Sequence, residues 1–169
     1  MTSVSVIGSG AWGTTLSQVL CDAGNDVLIW GRNHEVIAEI AKKRTNEKFI
    51  PGARLPENLN ATTEIEVALA AAEVIVLAVP AQTLRANLLN WKAFFPTNKP
   101  VISSLKGIEI QSNLRMSEVV RDCIAISDSL VGIITGPNLA SELILRQPAG
   151  AVGASTNPEI SKLIARLFK

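Results

Sequence analysis

The fold of this chain is decided by Val4-Ser5-Val6-Ile7-Gly8-Ser9-Gly10-Ala11-Trp12-Gly13. The first four residues are rich in β-branched side chains and predict a buried strand. Gly8 permits a tight turn, Gly10 lets a pyrophosphate approach the backbone, and Gly13 lets the following helix pack closely on the strand. The N-terminus of that helix adds N–H donors and positive potential. Together they form the dinucleotide-binding fingerprint, whereas the glycines alone would often mark a tight turn without a ligand.

Short apolar runs alternate with segments of helical periodicity along the rest of the chain. The clearest helical segments are 12–23, 36–41 and 116–124. This alternation is typical of βαβ units that build a parallel sheet. It predicts one α/β domain over residues 1–169, a Rossmann-type, doubly wound, mainly parallel sheet with helices on both faces. The predicted strands are 4–7, 27–30, 74–79, 101–105 and 130–134, with weaker ones at 59–61 and 149–154.

The composition excludes several classes of protein. The 169 residues are 47% hydrophobic and 18% charged, which is incompatible with disorder or a coiled coil. Lys plus Arg number 16 and Asp plus Glu 15, so we expect no nucleic-acid partner and no polybasic membrane anchor. The most apolar run, 74–79, is far shorter than the roughly 20 residues that cross a bilayer, which predicts no membrane insertion. A small anion or a neutral molecule is the expected partner.

Cysteine and histidine positions narrow the chemistry further. Cys21 and Cys123 lie far apart and form no Cys-x-x-Cys motif or Cys/His cluster. This spacing predicts two reduced, buried thiols and no metal site. The only histidine, His34, stands at the expected start of a helix, so the sequence offers no Ser-His-Asp triad.

Polar or conformationally special residues follow the main predicted strands. Because parallel strands end at the same edge of a sheet, we expect one ligand-binding crevice there. A lysine in that crevice can hold an anionic substrate or polarise a carbonyl that receives a hydride. A solvated loop lysine, a plain strand stop at the proline and a simple glycine turn are the structural alternatives. The residues expected to converge are Gly8, Arg32, Pro80, Lys106 and Gly136.

Arg32 bears on the choice of cofactor. An NAD-selective domain carries Asp or Glu about 20 residues past the glycines, where it binds the ribose hydroxyls. Here Arg32 occupies that position, and its guanidinium can pair with a 2′-phosphate or lie against an adenine ring. The sequence therefore favours NADP(H) over NAD alone, although a solvated surface arginine fits the spacing equally well.

Two further segments carry expectations. Residues 44–58 contain two prolines and a glycine and form a long irregular connection, which we expect to fold over a ligand. Near the end of the chain, Asn157 and Pro158 predict the N-cap and the first position of a helix. Because no C-terminal stop precedes Lys169, we expect the chain to be the N-terminal part of a longer protein.

Six motifs occur in order: Gly8-Ser9-Gly10-Ala11-Trp12-Gly13-Thr14-Thr15-Leu16, Trp30-Gly31-Arg32, Asn46-Glu47-Lys48-Phe49-Ile50-Pro51-Gly52, Val79-Pro80, Ser104-Leu105-Lys106-Gly107-Ile108-Glu109 and Gly136-Pro137-Asn138-Leu139-Ala140-Ser141-Glu142. Together they resemble the N-terminal domain of the NAD(P)-dependent glycerol-3-phosphate dehydrogenases. The joint occurrence of the last two is specific, and the resemblance spans nearly the whole chain.

The resemblance implies reversible reduction of dihydroxyacetone phosphate to sn-glycerol 3-phosphate with NAD(P)H, in the cytoplasm, for glycerophospholipid synthesis. It also implies that the proton-transferring lysine and most phosphate-binding residues belong to a helical C-terminal domain. That domain is absent from this chain, and a homodimer could form through it. The chain alone would then bind a dinucleotide and turn over substrate poorly or not at all.

The glycine loop and the resemblance together define the expected site. The expected substrate contacts are Lys106, Gly136 and Asn138. The chain departs from the family pattern at Ala11, where serine is usual, at Asn33, where a basic residue is common, and at Asn138, where serine or threonine is usual. The expected dinucleotide contacts are Gly8, Ser9, Gly10, Ala11, Trp12, Gly13, Arg32, Asn33, Phe49, Pro80, Lys106 and Ala140.

Two other functions are compatible with the residues. One is another NAD(P)-dependent dehydrogenase that acts on a different small keto or hydroxy acid. The other is a non-catalytic module that binds a dinucleotide and signals to a partner. Lys106-Gly107-Ile108-Glu109 favours the named family over the first alternative, whereas the missing proton-transferring lysine suits the second.

Overall fold

A computed structural model describes all residues from Met1 to Lys169 and contains one seven-stranded sheet. The sheet order is β3-β2-β1-β4-β5-β6-β7, and every neighbouring pair is parallel except the antiparallel pair β6 and β7. This architecture confirms the predicted fold. The strands are β1 Ser3–Ile7, β2 Asp26–Trp30, β3 Leu59–Thr62, β4 Val74–Leu77, β5 Val101–Ser103, β6 Val131–Thr135 and β7 Val152–Ser155.

Seven α-helices connect and cover the strands, and short 3₁₀ turns occur at Ala81–Thr83 and Asp128–Leu130. None of the helices has the length and hydrophobicity needed to cross a bilayer. The helices are α1 Ala11–Asp22, α2 His34–Lys43, α3 Ile65–Ala71, α4 Leu84–Trp91, α5 Met116–Cys123, α6 Ala140–Leu143 and α7 Pro158–Leu167.

Two apolar cores lie on opposite faces of the sheet. In β4, Val74 and Val76 belong to the core under α1, α2 and α7, whereas Ile75 and Leu77 belong to the core under α3, α4 and α5. Successive side chains of a strand point to opposite faces, so a strand buried on both sides reads as an unbroken apolar run. This double burial explains why β4 was the clearest strand in the sequence.

Two of the predicted strands are too long, and two others are shifted along the chain. The strand expected at 74–79 ends at Leu77, and the one expected at 101–105 ends at Ser103. In both cases the next residue donates one last backbone hydrogen bond to the adjacent strand, and the chain then leaves the sheet. The N–H of Ala78 donates to the carbonyl oxygen of Ile7, and that of Ser104 to the carbonyl oxygen of Leu77. The other two are shifted: the strand expected at 130–134 is β6, which follows a 3₁₀ turn, and the one expected at 149–154 is β7.

Sequence periodicity did not reveal α3, α4 and α6. α3 and α6 have only seven and four residues, which is too short for an apolar pattern to repeat. α4 is as long as α5, but it buries the polar Asn87 and exposes Leu89, so its apolar face is not evident in the sequence. The predicted start of α7 is confirmed, because the Asn157 side chain accepts a hydrogen bond from the N–H of Glu159 and Pro158 is the first helical residue. The start of α2 at His34 is confirmed as well.

The two cysteines are unpaired and buried, as predicted, and they lie in different cores. Burial raises the pKa of the Cys21 thiol to about 12, with the nearby Asp22 and Asp26 carboxylates adding to the effect. Burial also raises the pKa of Cys123. Because the thiolate is the nucleophile, both side chains should be unreactive in the folded chain.

We therefore expect iodoacetamide at pH 8 to leave both thiols of the folded chain unmodified over a period that fully alkylates the urea-unfolded chain. Mass spectrometry of the intact chain counts the added groups, and the unfolded sample is the control for reagent activity. Equal rates of modification in the two samples would show that the thiols are accessible in the folded state.

Candidate functional site

A cavity of about 660 Å³ opens at the carboxyl edge of the parallel strands. This volume lies within the range of roughly 300–1,000 Å³ that is typical of small-molecule sites. The cavity is lined from the loops that follow β1, β2, β4, β5 and β6, so the predicted convergence of these loops is observed. Expected site residues in its lining are Gly8, Ser9, Gly10, Ala11, Trp12, Arg32, Asn33, Phe49, Pro80, Lys106 and Asn138.

The three fingerprint glycines meet different steric demands. Gly8 has φ +132°, and a Cβ on it would lie 2.5 Å from the carbonyl oxygen of Ala78. A Cβ on Gly13 would lie 1.9 Å from the carbonyl oxygen of Gly8. Gly10 has no atom within 4 Å of the position where its Cβ would be. Two glycines are therefore required by packing, whereas Gly10 leaves open space over the backbone at the cavity.

The N-terminus of α1 faces this open space without a partner from the chain. Gly10 is the N-cap, no side chain caps the helix, and no acidic residue lies in its first turn. The first N–H groups of a helix have no intrahelical acceptor, and the helix dipole adds positive potential there. With the open space over Gly10, this end of α1 fits a negatively charged group such as a pyrophosphate.

The Asn46 side chain joins the 44–58 segment to the glycine loop by hydrogen bonds. Its side chain is fully buried, and Nδ2 donates to the carbonyl oxygen of Ser9 at 3.1 Å and to Oγ1 of Thr14 at 2.8 Å. The turn that follows brings Lys48 and Phe49 to the cavity, where 41% of Phe49 is exposed. The segment thus lies beside the cavity with an aromatic ring and a cation available to a ligand.

The loop after β2 supplies two polar residues with different structural roles. Arg32 lines the cavity and is exposed, so its guanidinium is free to meet an anion. Asn33 is the N-cap of α2, and its Oδ1 accepts hydrogen bonds from the N–H groups of Glu35 at 2.9 Å and Val36 at 3.1 Å. The helix therefore uses the oxygen of Asn33, and only its amide nitrogen is left as a donor toward the cavity.

Lys106 is placed by contacts to two other loops. Its Nζ donates to the carbonyl oxygen of Gly136 at 3.2 Å and lies 5.8 Å from the centre of the Trp12 ring. Trp12 is itself held, because its Nε1 donates to Oγ of Ser104 at 3.1 Å, and that hydroxyl donates to the carbonyl oxygen of Leu77 at 2.7 Å. The ends of β1, β4, β5 and β6 are thereby linked around one cation.

Three expected site residues, Gly13, Gly136 and Ala140, do not line the cavity. A Cβ on Gly136 would lie 2.5 Å from the carbonyl oxygen of Gly150, so this glycine is required by packing. The carbonyl oxygen of Ala140 accepts a hydrogen bond from Thr15 Oγ1 at 3.4 Å, which joins α6 to α1. Asn138 does line the cavity. Its side-chain amide is assigned the orientation that satisfies its neighbours, in which the nitrogen donates to the carbonyl oxygen of Gly150 at 2.7 Å.

Some cavity residues were missed by sequence reasoning. Lys48 and Ser104 lie within the family-like motifs, yet no pattern distinguished them from neighbouring loop residues. Trp30 ends a buried strand and reads as core, although it also lines the cavity. A position next to an expected contact was the only available signal for Lys48, which precedes Phe49.

Comparison with known proteins places this geometry in a family. Residues 3–161 match the family model described as the NAD-dependent glycerol-3-phosphate dehydrogenase N-terminus. The chain belongs to this family. It is 44% identical over 158 residues to a glycerol-3-phosphate dehydrogenase [NAD(P)+] of Streptomyces avermitilis, a match that covers 94% of this chain and 47% of that protein. The homologue from Thermobifida fusca is 42% identical over 170 residues and is covered to 51%.

Solved structures of the family agree with the fold. The glycerol-3-phosphate dehydrogenase of Coxiella burnetii superposes with a TM-score of 0.89 at 27% identity, over 99% of this chain and 51% of that one. The enzyme of Saccharomyces cerevisiae superposes with a TM-score of 0.88 at 25% identity, over 99% of this chain and 54% of that one. The chain spans about half the length of the curated relatives that it matches.

Proposed function

We propose that residues 1–169 are the cofactor-binding domain of an NAD(P)-dependent glycerol-3-phosphate dehydrogenase. The whole protein would interconvert dihydroxyacetone phosphate and sn-glycerol 3-phosphate with NAD(P)H. The observation that carries the proposal is the cavity where the uncapped N-terminus of α1 and the Lys106 cation meet. Family membership supports it, since the relatives named above are glycerol-3-phosphate dehydrogenases.

Each part of the cavity has a chemical task in this proposal. The α1 N-terminus binds the pyrophosphate above Gly10. Arg32 and Phe49 bind the adenosine end, with the guanidinium available to a 2′-phosphate and the ring available for stacking. When bound in this cavity, NAD(P)H would supply the hydride. Lys106 stabilises negative charge on the substrate, either on its phosphate or on the carbonyl oxygen that becomes an alkoxide.

The remaining parts of the reaction are assigned outside this chain. We propose that a helical C-terminal domain supplies the proton-transferring lysine and most of the phosphate-binding residues, and that it can form a homodimer. Gly136 and Asn138 would border the substrate beside Lys106. The product would serve glycerophospholipid synthesis in the cytoplasm.

The test is to follow oxidation of NADPH and NADH by the longest natural polypeptide that contains this chain, with dihydroxyacetone phosphate as substrate. A panel of small keto acids without phosphate is the control for specificity. We expect turnover with dihydroxyacetone phosphate alone. Turnover with a keto acid instead would identify another dehydrogenase, and tight cofactor binding without turnover of any substrate would indicate a sensing module.

Arg32→Ala should distinguish two cofactor-binding modes. If Arg32 pairs with the 2′-phosphate, losing this charged hydrogen bond lowers the affinity for NADPH by about 10- to 100-fold and leaves that for NADH nearly unchanged. Equal losses for both cofactors would mean that the guanidinium stacks on adenine. Calorimetric titration measures both dissociation constants, and Arg166→Ala, an exposed arginine on α7, is the matched control for loss of one positive charge.

A further inference from the structure

The loop that carries Lys106 is fastened on its far side by one amide side chain. Gln82, in the 3₁₀ turn after β4, donates from Nε2 to the carbonyl oxygen of Ile108 at 2.9 Å. Its Oε1 accepts from the N–H of Ile110 at 3.1 Å. One side chain thus pairs with the backbone on both sides of Glu109, in the manner of a neighbouring strand. The contact joins the loop after β4 to the loop after β5.

Glu109 provides a second anchor between these two backbone contacts. Its buried carboxylate accepts hydrogen bonds from Arg85 Nε at 3.0 Å and Nη2 at 2.9 Å, and also from the hydroxyl of Ser112. Arg85 lies on α4 and also pairs with Asp122 on α5 at 2.5 Å. The Arg85 guanidinium holds the pKa of Glu109 below its usual range, so the carboxylate is charged at neutral pH. The loop is therefore fixed to α4, and Arg85 links this contact to α5.

Lys106 stands between this anchored segment and the end of β5. Gly107, at φ +104°, provides the bend that separates the lysine from the anchored residues. Lys106 itself is exposed, and its long side chain has several rotatable bonds, so it must lose conformational freedom to hold one position. Its contacts with Gly136 and Trp12 can persist only if the backbone beneath it keeps its place.

We propose that Gln82 and Glu109 are positioning residues that act through Lys106, holding its ammonium group at the substrate end of the cavity. This inference rests on the proposed function, because it gives the anchors a purpose in hydride transfer beyond stabilising the fold. Neither residue lines the main cavity, so neither would touch cofactor or substrate there. Displacing a reacting or stabilising group by about 1 Å can cost a 100-fold loss of rate, so such an anchor has a measurable effect.

Gln82→Ala in the longest natural polypeptide is the first test, because Gln82 is exposed and its loss leaves both cores intact. We expect kcat/KM for dihydroxyacetone phosphate to fall by about 10- to 100-fold, mainly through kcat. The affinity for ADP-ribose, which lacks the nicotinamide, should stay unchanged. Gln111→Ala removes the same amide group from a neighbouring exposed position and is the matched control.

A double-mutant cycle separates positioning from general structural support. If Gln82 acts through Lys106, Gln82→Ala should lower kcat/KM in the native background and have almost no further effect in a Lys106→Met background. Glu109→Gln should show the same dependence on Lys106 and provides a second, independent variant. Multiplicative losses in the two double mutants, or a parallel loss of ADP-ribose affinity, would overturn the inference.

Failure of this inference can be told from failure of the proposed function. If the native protein reduces dihydroxyacetone phosphate and both anchor variants match it, the function stands and the anchors are not positioning residues. If the native protein binds dinucleotide without reducing that substrate, the function fails. In that case the anchors are tested by the affinity for the reduced cofactor. Gln82→Ala and Glu109→Gln should lower this affinity in protein that keeps Lys106 and should leave it unchanged in Lys106→Met protein.

Discussion

Gly13→Ala is expected to abolish stable folding of this chain, with a loss of at least about 4 kcal/mol in the free energy of unfolding. The added methyl group would lie 1.9 Å from the Gly8 carbonyl oxygen and 3.3 Å from Cβ of Ala78. Both close partners are fixed, since the N–H of Gly8 donates to the carbonyl oxygen of Trp30 at 2.9 Å and the N–H of Ala78 donates to that of Ile7 at 2.9 Å. Helix α1 would have to move away from β1 and uncover the core beneath it.

Urea denaturation followed by circular dichroism measures this loss. Gly10→Ala is the matched control, because nothing lies within 4 Å of its Cβ position and its φ of −73° suits any residue. We expect Gly10→Ala to unfold like the native chain while it binds dinucleotides more weakly, since its methyl group occupies the space over α1. Equal stabilities of the two variants would refute the packing role of Gly13.

Lys106→Met should produce the largest loss of activity. In the longest natural polypeptide we expect kcat/KM for dihydroxyacetone phosphate to fall by about 100- to 1,000-fold, the range found when one donor to a developing oxyanion is removed. Methionine keeps much of the aliphatic volume over Trp12 and removes the charge, so the loss reports the cation. Steady-state kinetics with NADPH and NADH measure the effect.

Lys42→Met, in the last turn of α2, is the control for removing an exposed lysine. We expect this variant to have the same kcat/KM for dihydroxyacetone phosphate as the native protein. A Lys106→Met protein with full activity would show that the cation serves neither the phosphate nor the carbonyl oxygen, and the substrate end of the cavity would have to be reassigned. A loss confined to cofactor affinity would limit Lys106 to the dinucleotide.

The parts of the site that sequence reasoning predicted are those that follow from backbone geometry. Gly8 and Gly13 were recognised because only glycine satisfies their packing, and Arg32 and Lys106 because parallel strands end at one edge. The length of the 44–58 connection marked it as a candidate for function, and it does lie beside the cavity.

The parts that were missed depend on partners distant in sequence. Asn46 is buried against residues 32 and 37 positions away, and Gln82 bonds to backbone 26 and 28 positions away. Loop amides of this kind carry no periodic signal, and only the folded chain shows what they contact. Gly136 shows another gap, since its motif position suggested a substrate contact and gave no sign that its packing against Gly150 also requires a glycine.

The central position of β1 affects how the protein is made. β1 is synthesised first, yet its two neighbours in the sheet are β2 and β4, and β4 ends at Leu77. Until that residue leaves the ribosome, one edge of β1 presents unpaired backbone groups beside apolar side chains, the kind of surface that promotes aggregation. The nascent chain is therefore most exposed to aggregation through β1 over the interval that separates the synthesis of β2 from that of β4.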